Sequence, residues 1–210
     1  MRKMFIALVL VVMASSAGAT PQIYWADWAG PNNVTRSNLD GSNPTPVIVN
    51  QFQTTFGLAL DAAADKIYVA DSTCSTLCSE PLNPARSITR LNLDGTGAEV
   101  LVPGGGPTDI VLDGLGKMYW TDFGGSPVNS ANLDGTDRQV LISGSFSNAF
   151  GIDLDLANGK MYLVDTGGFG VGSVPSISRA NLDGSGLESL ITGGRPTGIS
   201  LDLADRKSVV

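Results

Sequence analysis

From residue 20 onward, apolar residues come in runs of about four to six, bounded by Gly, Pro, Asn or Asp. Many are β-branched or aromatic, and no stretch sustains a 3.6-residue apolar stripe. That pattern predicts short β-strands and excludes a helical array. The clearest period offers four strands, over 56–60, 66–71, 87–93 and 98–102. Asp94-Gly95 falls between the third and fourth, where a tight turn needs positive φ and a local side-chain hydrogen bond. Residues 61–66 read as a hairpin loop between the first and second. Ile110-Val111-Leu112 is apolar at successive positions, which suits a strand covered on both faces.

The pattern repeats. Ile67-Tyr68-Val69-Ala70-Asp71 has relatives in Ile23-Tyr24-Trp25-Ala26-Asp27, Met118-Tyr119-Trp120-Thr121-Asp122 and Met161-Tyr162-Leu163-Val164-Asp165. All four tyrosines of the chain lie in this phrase. A second phrase, Asn-Leu-Asp-Gly, begins at Asn38, Asn92, Asn132 and Asn181, so it recurs after 54, 40 and 49 residues. A third is an apolar stretch ending on Asp61, Asp113, Asp155 or Asp202. Periods of this length with four strands each predict propeller blades. One blade cannot cover both its own faces, so its neighbours must do so.

These phrases resemble the YWTD β-propeller repeats, the class B repeats of low-density lipoprotein receptor-type proteins. Tyr119-Trp120-Thr121-Asp122 matches the signature word in full, and Arg179-Ala180-Asn181-Leu182-Asp183-Gly184 matches its companion phrase. The likeness runs over about residues 22–204. Val69 and Leu163 depart from it where the family favours Trp, and Ser130 stands where Arg36, Arg90 and Arg179 stand in the other copies. The resemblance implies an all-β propeller of four-stranded antiparallel blades, six in the complete family fold, and extracellular recognition of protein on one disc face.

Counting elements predicts sixteen strands: three from Ile23 to Val49, three full blades over 56–102, 107–142 and 150–191, and an inner strand over 198–203. That is about four blades. Two readings follow. The last strand completes the first blade, or the chain is a partial six-bladed propeller cut short. Residues 205–210, Asp-Arg-Lys-Ser-Val-Val, break the repeat where Lys-apolar-Tyr is due, and also read as translated adapter DNA, so a non-native end is expected there.

Residues 1–19 join Arg2 and Lys3 to an apolar run over 4–13 and end Ala17-Gly18-Ala19. This reads as a secretory signal peptide, of a length at home in bacteria, leaving 20–204 as the propeller. The run is shorter than a spanning helix of ~20 residues, so no membrane insertion is expected. Location is then secreted, periplasmic or extracellular. Removing the leader takes away two cations and no acid, so net charge goes from −7 to −9. An acidic surface disfavours nucleic acid as a partner. Cys74 and Cys78 are the only cysteines. An oxidising compartment permits a local disulfide between them; free thiols and a metal site are the alternatives.

Histidine is absent, which excludes Ser-His-Asp and Cys-His catalysis and histidine metal sites. Asp27, Asp71, Asp122 and Asp165 recur once per blade. Catalysis needs a group once, whereas a structural bond is needed in every blade, so these aspartates are expected to accept bonds from a turn or a neighbouring blade. Tyr24, Tyr68, Tyr119, Trp120 and Tyr162 are expected to pack between blades, with hydroxyls reaching polar partners. Asp109, Asp153 and Asp155 could touch a cation, although calcium needs six to eight oxygens and no calcium loop is present; no cofactor is predicted. Asn33-Val34-Thr35 is a glycosylation sequon. The insertions over 72–87 and 166–176 should project from one face of the disc. Trp28, Phe123 and Phe169 are the candidate surface aromatics. The reading is a secreted, non-catalytic binding or scaffold module for an extracellular protein or surface ligand. A calcium-dependent lactonase or esterase and a spacer in a larger surface protein are the alternatives.

Overall fold

The computed structural model describes residues 20–27, 32–49, 51, 52, 54–72, 86–123, 127–168 and 174–203. The expected leader, Trp28, Phe169, both cysteines and the 205–210 end lie outside the described residues.

Fifteen strands are present among the described residues, in four antiparallel meanders. The first sheet holds β1 (Gln22–Ala26), β2 (Asn32–Asn38) and β3 (Thr45–Val49). The second holds β4 (Thr55–Asp61), β5 (Lys66–Asp71), β6 (Ser87–Asn92) and β7 (Glu99–Pro103). The third holds β8 (Pro107–Leu112), β9 (Lys117–Asp122), β10 (Val128–Asn132) and β11 (Gln139–Ile142). The fourth holds β12 (Ala149–Asp155), β13 (Lys160–Asp165), β14 (Ser176–Asn181) and β15 (Glu188–Thr192). The innermost strands β4, β8 and β12 lie side by side, and the sheets stack as propeller blades.

Alternation along the strands makes this stack possible. Ile67 and Val69 on β5 point back and pack with Tyr24, Ala26, Val34 and Ile48 of the first blade. Tyr68 and Ala70 on the same strand point forward and pack with Met118, Trp120 and Ala131 of the third. Successive side chains on a strand face opposite ways, so each blade serves two cores. A third core joins Tyr119, Val128 and Ile142 to Ile152, Met161 and Leu163 across the next seam. The four tyrosines of the repeat all point forward, and Trp120 and its counterparts all point back.

The turns follow their local chemistry. In the second blade, Thr96 N–H donates to Asp94 Oδ1 at 2.9 Å, and Gly95 takes φ +85°. Ala64 N–H donates to Asp61 Oδ1 at 3.0 Å and closes the 61–66 hairpin.

One expected strand is not there. Residues 198–203 have no strand pairing, and the first sheet stays three-stranded. The segment still lies beside β12: Leu201 N–H donates to Asp153 Oδ2 at 2.7 Å. Neighbouring blades meet through side chains, not through a shared ladder. An inner strand therefore needs the second strand of its own blade, and none is described there.

Candidate binding face

Strand register fixes which loops share an end of the blade. Thr55 pairs with Asp71, Asp71 with Ser87, and Ser87 with Pro103. The start of the inner strand, the end of the second, the start of the third and the end of the outer strand thus meet at one end. That end carries the connections between blades and the ends of the second strands, with Asp71, Asp122 and Asp165.

The signature aspartates hold this end together. Asp122 Oδ1 accepts from Gly106 N–H at 3.0 Å, and Oδ2 accepts from Asn129 Nδ2 at 2.8 Å. Asp165 accepts from the backbone N–H of Ser147, Asn148 and Gly167, each at 2.9 Å. Asp71 Oδ1 accepts from Thr54 N–H at 3.3 Å. In each case the carboxylate at the end of the second strand ties down the chain entering its own blade. Burial raises the Asp122 carboxyl above the usual carboxylate range, with its donors pulling the other way. The first blade adds an anchor of another kind, on the chain that leaves it for the second blade. Asn33 Oδ1 accepts from Gln51 and Phe52 N–H at 2.9 and 3.0 Å, and Asn33 Nδ2 donates to Phe52 O at 2.6 Å. The sequon asparagine is therefore a buried loop anchor, 1% exposed. Sequence alone does not tell an anchor from an acceptor for sugar.

Phe123 follows Asp122 directly and is 44% exposed. Its backbone is fixed: Phe123 N–H donates to Gly106 O at 2.7 Å. The ring is thus displayed on a loop held at its base.

The tyrosines and arginines work at the seams. Tyr68 Oη and Arg90 Nη1 both donate to Leu133 O in the next blade, at 3.3 and 3.1 Å. Arg90 and Arg179 also pair with Glu99 and Glu188 on their own outer strands. The third blade lacks this arginine; there Arg138 lies over the Trp120 ring, 5.5 Å from its centroid. Tyr24 and Tyr119 are buried in the first and third cores. Tyr162 keeps part of its surface open.

Near the axis, each acidic side chain is already engaged. Asp109 Oδ2 accepts from Ile152 N–H of the next blade at 3.1 Å, and Oδ1 from its neighbour Ile110 at 2.9 Å. Asp153 makes the equivalent bond to Leu201. Asp155 instead caps the short 3-10 turn Leu156–Asn158. Burial pushes the Asp109 carboxyl up to about 7. The described residues hold no group of three or more His, Cys, Asp or Glu arranged for a metal ion. Sequence reasoning missed a further feature here: Phe56 and Phe150 meet edge to face, ring centroids 5.8 Å apart, from two non-adjacent blades.

The seam geometry and the signature word point to the same relatives. Residues 116–156 match the family model of the low-density lipoprotein receptor repeat class B. The chain is 32% identical over 126 residues to the human low-density lipoprotein receptor-related protein 5-like protein, covering 58% of this chain and 48% of that one. It is 32% identical over 141 residues to low-density lipoprotein receptor-related protein 1 of Pyricularia oryzae, covering 61% and 43%. It is 27% identical over 175 residues to the vitellogenin receptor Yl of Drosophila melanogaster, covering 81% and 8%. The chain spans about half the length, or less, of these curated relatives. Among solved structures, the nidogen/laminin complex matches with a TM-score of 0.59 at 22% identity, covering 84% of this chain and 79% of that one. A Bacteroides thetaiotaomicron protein of unknown function matches with a TM-score of 0.59 at 18% identity, covering 84% and 50%. Both likenesses concern the β-propeller fold. No helix among the described residues is long and apolar enough to cross a membrane.

Proposed function

We propose that this chain is a secreted, non-catalytic module that binds an extracellular protein through the blade end carrying the signature aspartates. The observation that carries this reading is the exposed Phe123 ring on a backbone locked to Gly106. A rigidly held, exposed aromatic loses little entropy on binding, and such residues commonly dominate interface energy. Loops on a rigid scaffold are the usual place for recognition. The matched nidogen structure is a complex with laminin, which supports protein recognition by a propeller of this type. The repeated carboxylates support a non-catalytic reading, because they are spent on loop amides.

The test has two parts. The intact chain, expressed with residues 1–19, should appear in the medium or periplasm with a mass showing removal of those residues. The purified product, screened by surface plasmon resonance against extracellular-matrix and cell-surface proteins, should show saturable binding. Phe123→Ala should weaken that binding by about tenfold or more, as expected for loss of a hot spot, with the unfolding midpoint unchanged. Binding indifferent to Phe123, or retention in the cytoplasm, overturns the reading.

A further inference from the structure

Arg86 directly precedes β6, at the blade end that also carries Phe123. Its state is unfavourable for folding in three respects. Its φ is +77°, a left-handed backbone that a long L-side chain rarely adopts. The other non-glycine residues with positive φ among the described residues are Asn43, Asp65 and Asp137, of the two types that tolerate it. The Arg86 Nε is buried and has no hydrogen-bond partner, and a desolvated donor left unpaired is destabilising. Its Nη1 reaches only Gly105 O, at a long 3.5 Å. Arg90, Lys117 and Arg179 each pair with a carboxylate, whereas Arg86 has none among the described residues. Nothing the fold gains from this side chain offsets what it loses, and strain of that kind gathers at functional sites.

Beside Arg86 the chain passes from the second blade to the third through Gly104-Gly105-Gly106, and Phe123 stands across that strip. Gly104 N–H donates to Arg86 O at 2.8 Å, and Phe123 N–H donates to Gly106 O at 2.7 Å. A Cβ built on Gly106 would lie 3.4 Å from Phe123 Cβ, so the base of the ring borders the strip directly. Gly104 and Gly105 are exposed and carry no side chain. The guanidinium and the ring therefore flank an open floor of backbone that is fixed at both edges.

We propose that Arg86 and Phe123 form one subsite for an Asp or Glu carboxylate of the partner protein with an apolar side chain next to it. The inference rests on the reading of this end as the protein-binding end. A guanidinium pairs with a carboxylate through two parallel N–H bonds. The Phe123 ring takes the apolar neighbour, and the glycine floor lets the partner's backbone come close. Arginine and aromatic side chains are the usual hot-spot residues of interfaces. The acids of this chain do not oppose the contact. Asp71, Asp122 and Asp165 are buried here and accept from backbone amides. The exposed turn aspartates 40, 94, 134 and 183 lie at the far end of the blades. That is a strand's length away, roughly 20 Å for the six residues of β5, beyond the screening length of ~8 Å. A single arginine beside an aromatic ring suits a carboxylate with an apolar neighbour, where a sulfated polysaccharide needs a cluster of cations.

The probe is the blocked dipeptide acetyl-Asp-Leu-amide, with acetyl-Asn-Leu-amide as its uncharged control, titrated into the full isotope-labelled chain and followed by NMR. The Arg86 Nε–H and Phe123 amide resonances should move together and saturate with the Asp peptide, and stay still with the Asn peptide. Arg86→Gln should weaken the response at Phe123 by about tenfold or more, as for loss of a hot spot. Arg86→Gly should do the same and raise the thermal midpoint, because it relieves the left-handed strain and removes the unpaired donor. A lower midpoint in Arg86→Gly would make the arginine a structural residue and overturn the proposal. So would equal responses to the two peptides, no movement at Arg86, or a tighter response to a heparin oligosaccharide than to the Asp peptide. Whole-protein binding that needs Phe123 but not Arg86 overturns this subsite and leaves the proposed function standing. A response to the Asp peptide with no binding of any whole protein supports the subsite and overturns that function.

Discussion

Tyr68 Oη donates to the backbone carbonyl of Leu133, 65 residues further along, at 3.3 Å. Arg90 Nη1 donates to the same oxygen at 3.1 Å. One carbonyl on the turn of the third blade thus receives both repeat side chains of the second. Burial raises the Tyr68 hydroxyl above its ordinary titration range, so it remains a donor at neutral pH. Tyr68→Phe and Arg90→Met should each cost about 1 kcal/mol, the usual net value of one such bond. The double variant should cost more than the sum, because the carbonyl then loses its last side-chain donor. Urea unfolding of the four proteins measures this; strict additivity would show that the two donors do not share the site.

The seam glycines should divide by position. Gly135 and Gly41 have nearly the same φ, +83° and +79°, but only Gly135 abuts a neighbour. Gly41→Ala should cost about 1–2 kcal/mol, the penalty of a left-handed L-residue. Gly135→Ala carries that penalty and a clash with Leu101 O, so it should be clearly more destabilising. Equal midpoints in denaturant would refute the close approach at that seam.

Asp122→Ala removes the acceptor of both Gly106 N–H and Asn129 Nδ2. Two buried donors are left unpaired, at about 1–3 kcal/mol each. The loop carrying Phe123 should loosen as well, seen as faster amide exchange at Gly106 and Phe123. An unchanged exchange rate there would count against the anchor role.

Acidity should act in opposite senses at two places. Burial holds Asp109 protonated in the fold up to about 7, opposed by the Ile152 and Ile110 amides and reinforced by the charge of Asp153. The unfolded chain loses that proton near its ordinary value of about 4. The contribution of Asp109 is therefore complete below about 4 and lost as pH rises through 7. The exposed turn aspartates 40, 94, 134 and 183 are lowered by Ser or Thr hydroxyl and amide donors. Theirs is present above the ordinary value and lost as pH falls. Thermal midpoints should decline from about pH 5 to about pH 8, and Asp109→Asn should flatten that slope. A slope identical in both proteins would place the titration elsewhere.

The sequon should stay bare in the folded protein. Asn33 uses both ends of its side chain on the 51–52 backbone, so a glycan would displace the loop anchor. Intact mass after expression in a glycosylating host should show no sugar at Asn33. A stable glycosylated product would contradict the anchor.

Most of the blade plan was legible because its causes are local. Runs of four to six apolar residues, Asp-Gly turns and a repeated phrase set strand length, turn type and meander order within some fifty residues of chain. The recurrence of the aspartate also pointed to a bond made once per blade. What that bond reached was not legible: Asp122 holds Gly106, and the chain leaving the first blade has a further anchor in Asn33 that no periodic pattern marks. The exposed state of Phe123 is likewise set by what its loop folds against. Trp28 and Phe169 carry the same sequence signal and lie outside the described residues.

The sequence by itself determined the strands, the turns and the order of the blades, since these rest on residues close in the chain and on the alternation of side chains. Only the tertiary structure decided which blade faces are covered. Ile142 and Ile191 occupy the same place in the repeat, and one is buried while the other is open. Burial depends on what stands across the seam, and that neighbour is brought there by packing between blades, not by anything in the residue's own phrase.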